Sequence, residues 1–389
     1  MESVSSTGNH ALVFGASGIS GWAIVDAILK NYPERESFGR VTALTNRPLP
    51  LQVAQWPASE KLDIVSGLDL LRSNSQAELE AEMKDRITGI EDVSIIYFFA
   101  YVMDTEPDKE IEINNKLLKR AVTAVEKLSK KLNAGIRGPS YRSISLERQS
   151  ASQESLPRIP EPFASQIFYY NQLDQLRSLS AGKLWKFCNV IPDVVVGFVP
   201  NNNVYCLAQW LALYLTLYRE IYGKGSYVVF PGTLKSWVIK SNDTSQHVLA
   251  RFAIYASLHP QVSSGESFNV ADAAQPSNWS TKWPIICEYF GLNGVAPTEA
   301  SGPDPAEFLT SNRERWLGIE KKYNLRTGRV GSDKSFGGYT HFIMSMFNFD
   351  RQLDLSKTHR AWGSATEELG IKETWYTAFD KFRSAGIIP

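Results

Sequence analysis

Along the first two hundred residues, short apolar runs alternate with stretches whose apolar positions recur every three to four residues. Residues Ala11–Phe14 form the first run; beyond Gly18 the spacing changes, and Trp22, Val25, Ile28 and Leu29 share one helical face. The same alternation predicts strands at Val41–Thr45, Lys61–Val65, Val93–Phe99, Arg142–Leu146 and Lys186–Val190. A polar helix rich in Glu and Lys is predicted after the third strand, followed by helices at Ile111–Leu128 and Tyr170–Leu179. Asn133–Tyr141 reads as a loop, and Ser145–Gln166 runs from strand into a polar, Pro-containing loop. Strands alternating with helices at these intervals predict an α/β fold, a doubly wound parallel sheet covered on both faces.

Beyond Pro200 the alternation loosens into a long aromatic helix, Tyr205–Tyr222, isolated strands near Tyr227–Phe230 and Ser267–Val270, and further helices. The expected organisation is a polar lead over residues 1–10 and a nucleotide-binding domain over 11–200. A smaller, mostly helical substrate-binding region over 201–389 is interleaved with that core.

Composition narrows the function classes. The 41 basic and 41 acidic residues cancel, which argues against a nucleic-acid partner; Lys127, Lys130 and Lys131 read as a solvated helix face. Cys188, Cys206 and Cys287 form no CxxC pair, and no two histidines have metal-ligand spacing, so neither disulfides nor a metal is expected. The apolar segment Tyr205–Tyr218 is too short for a membrane span, and the opening residues lack a secretory pattern. A soluble protein of a reducing, cytoplasmic compartment is the expectation. The expected partner is a small apolar molecule, with neither nucleic acid nor membrane; a homodimer stays open.

The candidate chemistry begins at Gly15-Ala-Ser-Gly-Ile-Ser-Gly21, between the first strand and the first helix. Gly15 suits a tight turn, Gly18 lets backbone approach a pyrophosphate, and Gly21 lets the helix pack on the sheet. The helix N-terminus offers amides and a favourable dipole to phosphate. This is a Rossmann-type dinucleotide signature, and its G-x-x-G-x-x-G spacing is that of short-chain dehydrogenases. Ser17 and Ile19 in the turn are expected cofactor contacts, as is Ala100 after the fourth strand. The second strand ends Thr45-Asn46-Arg47-Pro48, with no acid for a ribose and an arginine placed for a 2′-phosphate, so NADP(H) is favoured over NAD. Asp63 and Ile64 are expected at the adenine ring.

The order of GASGISG, TNRP (Thr45–Pro48), YFFAY (Tyr97–Tyr101), LPRI (Leu156–Ile159), FYYNQLD (Phe168–Asp174) and VIPDVVVGFVP (Val190–Pro200) resembles the progesterone 5β-reductase and iridoid synthase group. That group is an atypical branch of the short-chain dehydrogenases. The resemblance implies NADPH-dependent reduction of an enone, or reduction with cyclisation, on a bulky apolar terpenoid, steroid-like or polyketide substrate of specialised metabolism. It puts the hydrogen-bond donor to the developing enolate on Tyr170, with Tyr169 and Tyr101 as neighbouring candidates, and nicotinamide contacts on Pro192, Val194 and the Ile191 backbone. Two positions depart from the group. No lysine occurs between Lys131 and Lys183, where the group carries one beside its tyrosine, with Arg148 a candidate substitute. Asp193 stands where the group has glycine and reads as a solvated loop acid. A segment at Phe336–Asp350 reads either as a flap hinged at Gly337-Gly338 or as a packed hydrophobic helix. The readings in order are an NADPH-dependent reductase, a non-redox cyclase or isomerase on the same scaffold, and an NADP-binding sensor.

Overall fold

A computed structural model of the chain describes residues 8–72, 75–137, 152–298, 304–332 and 338–389. Seven parallel strands make one sheet: β1 (Asn9–Phe14), β2 (Phe38–Thr45), β3 (Leu62–Ser66), β4 (Val93–Phe98), β5 (Ala134–Arg137), β6 (Lys186–Pro192) and β7 (Ser267–Val270). Their order is β7-β6-β5-β4-β1-β2-β3. The order reverses at β1, so the crevice of a doubly wound sheet opens at the carboxyl ends of β1 and β4.

Period-two alternation splits the core. Ala11 and Val13 of β1 face one cluster while Leu12 and Phe14 face the other, and Tyr97 and Phe98 of β4 divide the same way. Helices α1 (Ile19–Leu29), α5 (Leu207–Tyr222) and α6 (Gln246–Leu258) fill the first side. Helices α2 (Gln76–Arg86), α3 (Pro107–Leu128) and α4 (Phe168–Ser180) cover the second. Residues Leu207–Leu215 of α5 are all buried, so its apolarity belongs to a core helix. Among the described residues no helix is long and apolar enough to cross a membrane.

One strand falls where the hydrophobic pattern did not put it, and one expected strand joins the main sheet instead of standing apart. The fifth strand is Ala134–Arg137, inside the stretch expected as a loop, and the expected strand Arg142–Leu146 lies outside the described residues. Ala134 and Gly135 have low strand propensity. They are held by ladders on both sides, to Ile95 and Ile96 of β4 and to Lys186 and Phe187 of β6. Gly135 lines a small apolar cavity with Ile96, Phe98, Leu176 and Trp185, and a Cβ there would meet only the Lys186 carbonyl, at 3.9 Å. Ser267–Val270 is not isolated; it closes the sheet beside β6, carrying the core past residue 200.

His10 shows how tightly the amino end of the sheet is closed. Its ring is 4% exposed, with Nδ1 3.0 Å from the Gly89 carbonyl and Nε2 2.9 Å from the Thr42 hydroxyl. The neutral ring satisfies both contacts, donating from Nδ1 and accepting at Nε2. Burial pushes its pKa down from 6.5 to about 4. The unfolded chain therefore binds a proton that the folded one refuses, and stability is lost as pH falls from 6.5 towards 4. Urea unfolding should show wild type losing about 2 kcal/mol more than His10→Gln between pH 7 and pH 5. Equal losses would show that His10 is not the group responsible.

Candidate active site

The glycine turn is built by close backbone approach. Gly15 leaves β1 at φ +77°, and a Cβ there would lie 2.7 Å from the Phe99 carbonyl carbon and oxygen and 2.8 Å from the Ala100 nitrogen. A Cβ on Gly21 would sit 2.4 Å from the Gly15 oxygen, which is why α1 can rest against the turn. Gly18 caps α1 with no side-chain bond to its first amides, and its own Cβ would meet only the Gly15 oxygen, at 3.3 Å. The first amides of a helix have no partner within it and are the donors a pyrophosphate would use. Ser17 is half-buried in the turn and Ile19 is buried at the helix start. Ala100, two residues past β4, backs onto Gly15.

The flanks of this turn sort the remaining candidates. Arg47 is exposed just past β2, with Nη2 3.4 Å from the Asn202 carbonyl, and Thr45 shapes that bend by donating to the Arg47 carbonyl at 2.8 Å. Asp63 does not close β3. It pairs in register with Thr42, three residues before the strand's end, and its carboxylate is 3.6 Å from Arg40 Nη1. Ile64 lies mid-strand against the core. Both are therefore about 7–10 Å of strand short of the carboxyl edge. The acid beyond that edge is Asp69, half-buried, whose Oδ1 accepts from the Leu71 amide at 2.9 Å.

Pro192 ends β6 and Val194 is buried one residue beyond Asp193. Asp193 is not a solvated acid. It is 7% exposed and receives Arg351 Nε at 3.2 Å on both oxygens, a pair that reaches across 158 residues of chain. Arg351 also lies over the Phe347 ring at 4.5 Å, so the carboxylate anchors the segment after Tyr339–Met346. In that segment Ile343 and Met344 are buried while Phe342 and Met346 are exposed, so part of it packs and part faces outward. Gly337 and Arg148 lie outside the described residues.

The three tyrosine candidates are held differently. Tyr101, one residue beyond Ala100, stacks on Phe168 at 5.4 Å and meets Tyr205 edge-on at 5.6 Å; Tyr205 in turn meets Tyr339 at 5.3 Å. Its hydroxyl donates to Glu110 at 2.5 Å. Burial, then that carboxylate, pushes its pKa well above the usual phenol value. Tyr169 packs on Phe168 at 4.0 Å. Tyr170 accepts a weak bond from the Ile159 amide at 3.4 Å, so its own proton is not spent on that contact. The Arg158 guanidinium lies 4.9 Å from the Tyr170 ring centroid, bound bidentately by Asp174 at 2.8 and 2.5 Å. A cation does stand beside Tyr170. The acid four residues on, where a lysine was missed, is what holds it there.

The family model for the PRISE-like Rossmann-fold domain matches residues 11–389. The chain belongs to this family. The relative "Short chain dehydrogenase sirQ" of Leptosphaeria maculans is 32% identical, over 97% of each chain. The 3-oxo-Delta(4,5)-steroid 5-beta-reductase of Arabidopsis thaliana is 20% identical over 97% of this chain and 93% of that one. A UDP-glucose 4-epimerase from Bifidobacterium longum, solved in complex with NAD+ and UDP, matches the fold with a TM-score of 0.62. It is 13% identical and covers 97% of this chain and 98% of its own. The PRISE-like chain thus has the scaffold of the short-chain dehydrogenases.

Around that scaffold, sequence reasoning missed Tyr205, Tyr339, Glu110 and Arg158. Tyr205 and Tyr339 sit far from Tyr101 in the chain, and nothing local marks them. Arg158 was not marked either, because Asp174 has a local partner in Arg177 and the contact with Arg158 depends on the loop before α4. Among the described residues no group of His, Cys, Asp and Glu could hold a metal.

Proposed function

We propose that this chain is an NADPH-dependent reductase of an enone or carbonyl on a bulky, apolar substrate. The observation that carries the reading is the aromatic wall Tyr101–Phe168–Tyr205–Tyr339. It rises from the same backbone, Phe99–Ala100, that touches the glycine turn. Gly15 and Gly21 let the turn pack against Phe99–Ala100 and against the start of α1, the first amides of α1 suit a pyrophosphate, and Arg47 suits a 2′-phosphate. Asp69, just past the end of β3, suits the adenine end. When bound, the nicotinamide supplies a hydride to the substrate.

The chain's own part is to receive the charge that this leaves on the substrate oxygen. Tyr170 holds an unspent proton, and the Ile159 amide and Arg158 guanidinium beside it accommodate charge as that proton leaves. Tyr101 donates to Glu110 and serves as wall, shielding the reacting atoms from water. This proximity of Arg158 takes over the electrostatic task of the absent lysine.

The test is incubation with NADPH and a panel of apolar enones and enals. Expected is loss of reduced-nicotinamide absorbance that needs both enzyme and substrate. Product formation that continues unchanged without cofactor would instead establish the cyclase or isomerase reading. For the cofactor, Arg47→Gln should weaken NADPH binding about tenfold or more and leave NADH nearly unchanged, read by tryptophan fluorescence titration. Equal weakening of both would remove Arg47 from the 2′-phosphate.

A further inference from the structure

Three arginines meet on one turn at the carboxyl edge of the sheet. Arg47 reaches the Asn202 carbonyl from β2 at 3.4 Å. Arg326 and Arg329, from the segment after the helix Arg313–Tyr323, both donate to the Pro200 carbonyl, at 3.2 and 2.8 Å. Asn202 Nδ2 closes the set by donating to the Gly328 carbonyl at 2.9 Å. Residues 200–202 are therefore stitched to 326–329, with Arg47 leaning on the same turn.

Among the described residues, the charge in this cluster is unanswered. Arg329 is only 4% exposed, yet it meets neutral acceptors alone, the Pro200 carbonyl and Gln209 Oε1. Among the described residues, none of the three guanidinium groups has a carboxylate partner, whereas buried cations are ordinarily paired. Burial, then the neighbouring Arg326, pushes the Arg329 pKa down to about 9, which leaves it charged at neutral pH. Three buried polar atoms here also lack a partner: Arg326 Nη1, Asn202 Oδ1, and Nε2 of the fully buried Gln209. Two of those atoms are N–H donors. Unpartnered donors and excess positive charge in one place call for an anion with several acceptor oxygens. A planar guanidinium fork matches phosphate in particular.

We infer that Arg47, Arg326 and Arg329, grouped on the Pro200–Asn202 turn, form a phosphate-binding site shared between the nucleotide-binding half and the C-terminal region. The phosphate has two chemical sources: the 2′-phosphate of the dinucleotide, which rests on the function proposed above, or a phosphate carried by a separate ligand. In either case occupancy ties the C-terminal region to the sheet edge, because Arg326 and Arg329 are the groups that bridge them.

The experiment compares wild type, Arg326→Gln and Arg326→Lys, with ligand-free unfolding temperatures confirming that each is folded. The probes are 2′,5′-ADP, 5′-AMP and inorganic phosphate, at constant ionic strength against chloride. If the dinucleotide is the source, Arg326→Gln weakens 2′,5′-ADP about tenfold or more, Arg326→Lys weakens it less, and 5′-AMP is unaffected. If the phosphate comes from another ligand, inorganic phosphate raises the unfolding temperature of wild type but not of Arg326→Gln, while 2′,5′-ADP is indifferent to the substitution. Binding of inorganic phosphate that is lost in Arg326→Gln, with no response to either nucleotide, would remove the dinucleotide reading and keep this site. Identical responses of wild type and Arg326→Gln to both 2′,5′-ADP and phosphate would overturn it.

Discussion

Gly15→Ala is expected to lower stability by several kcal/mol and to weaken dinucleotide binding about 100-fold or more, whereas Gly67→Ala costs about 1 kcal/mol and leaves binding intact. Both glycines have nearly the same backbone, φ +77° and +79°. Strain from a left-handed φ is therefore common to the two substitutions. What separates them is space: nothing lies within 4 Å of a Cβ on Gly67, while one on Gly15 meets the Phe99 carbonyl and the Ala100 amide below 3 Å. Those are backbone atoms at the end of a central strand, so the turn must move instead, and the α1 amides move with it. Urea unfolding and fluorescence titration of the two variants check this. Similar losses in both would mean that φ alone matters and that the turn is not a close-packed nucleotide cradle.

Tyr170→Phe is expected to slow reduction about 100- to 1,000-fold with little change in substrate affinity, as removal of a single oxyanion donor does. Tyr101→Phe, which leaves the ring stack on Phe168 but removes the bond to Glu110, should act mainly through KM. The two hydroxyls differ in where each proton is spent. Tyr101 gives its hydrogen to a carboxylate, and Tyr170 accepts from an amide and keeps its own. The comparison of kcat and KM for the two variants decides the assignment. A kcat loss confined to Tyr101→Phe would transfer the donor role to Tyr101 and leave Tyr170 as packing.

Local chemistry was legible where the physics is local. Alternation along β1 and β4 reads directly as two core faces, and the three glycines read as a strand-to-helix turn because each has its own steric reason. Non-local pairing was not legible. Ala134-Gly135 becomes a central strand only through its neighbours β4 and β6, and Ser267–Val270 is a sheet edge only because β6 is there to receive it. Asp193 looked like a surface acid until Arg351, far along the chain, was brought against it. Asp63 and Asp69 illustrate a register error: two acids six residues apart flank the same strand end, and only the ladder to β2 shows which lies beyond it. Arg158 was hidden for a similar reason, since its place over Tyr170 depends on the fold of the loop before α4.

On the function proposed here, the glycine turn, the first amides of α1 and Arg47 together bind NADPH. Titration of the intact protein with NADPH and NADH, followed by quenching of tryptophan emission, tests it most directly. Saturable binding with NADPH about tenfold or more tighter than NADH is the predicted result. Absence of saturable binding of either nucleotide up to millimolar concentration would contradict it.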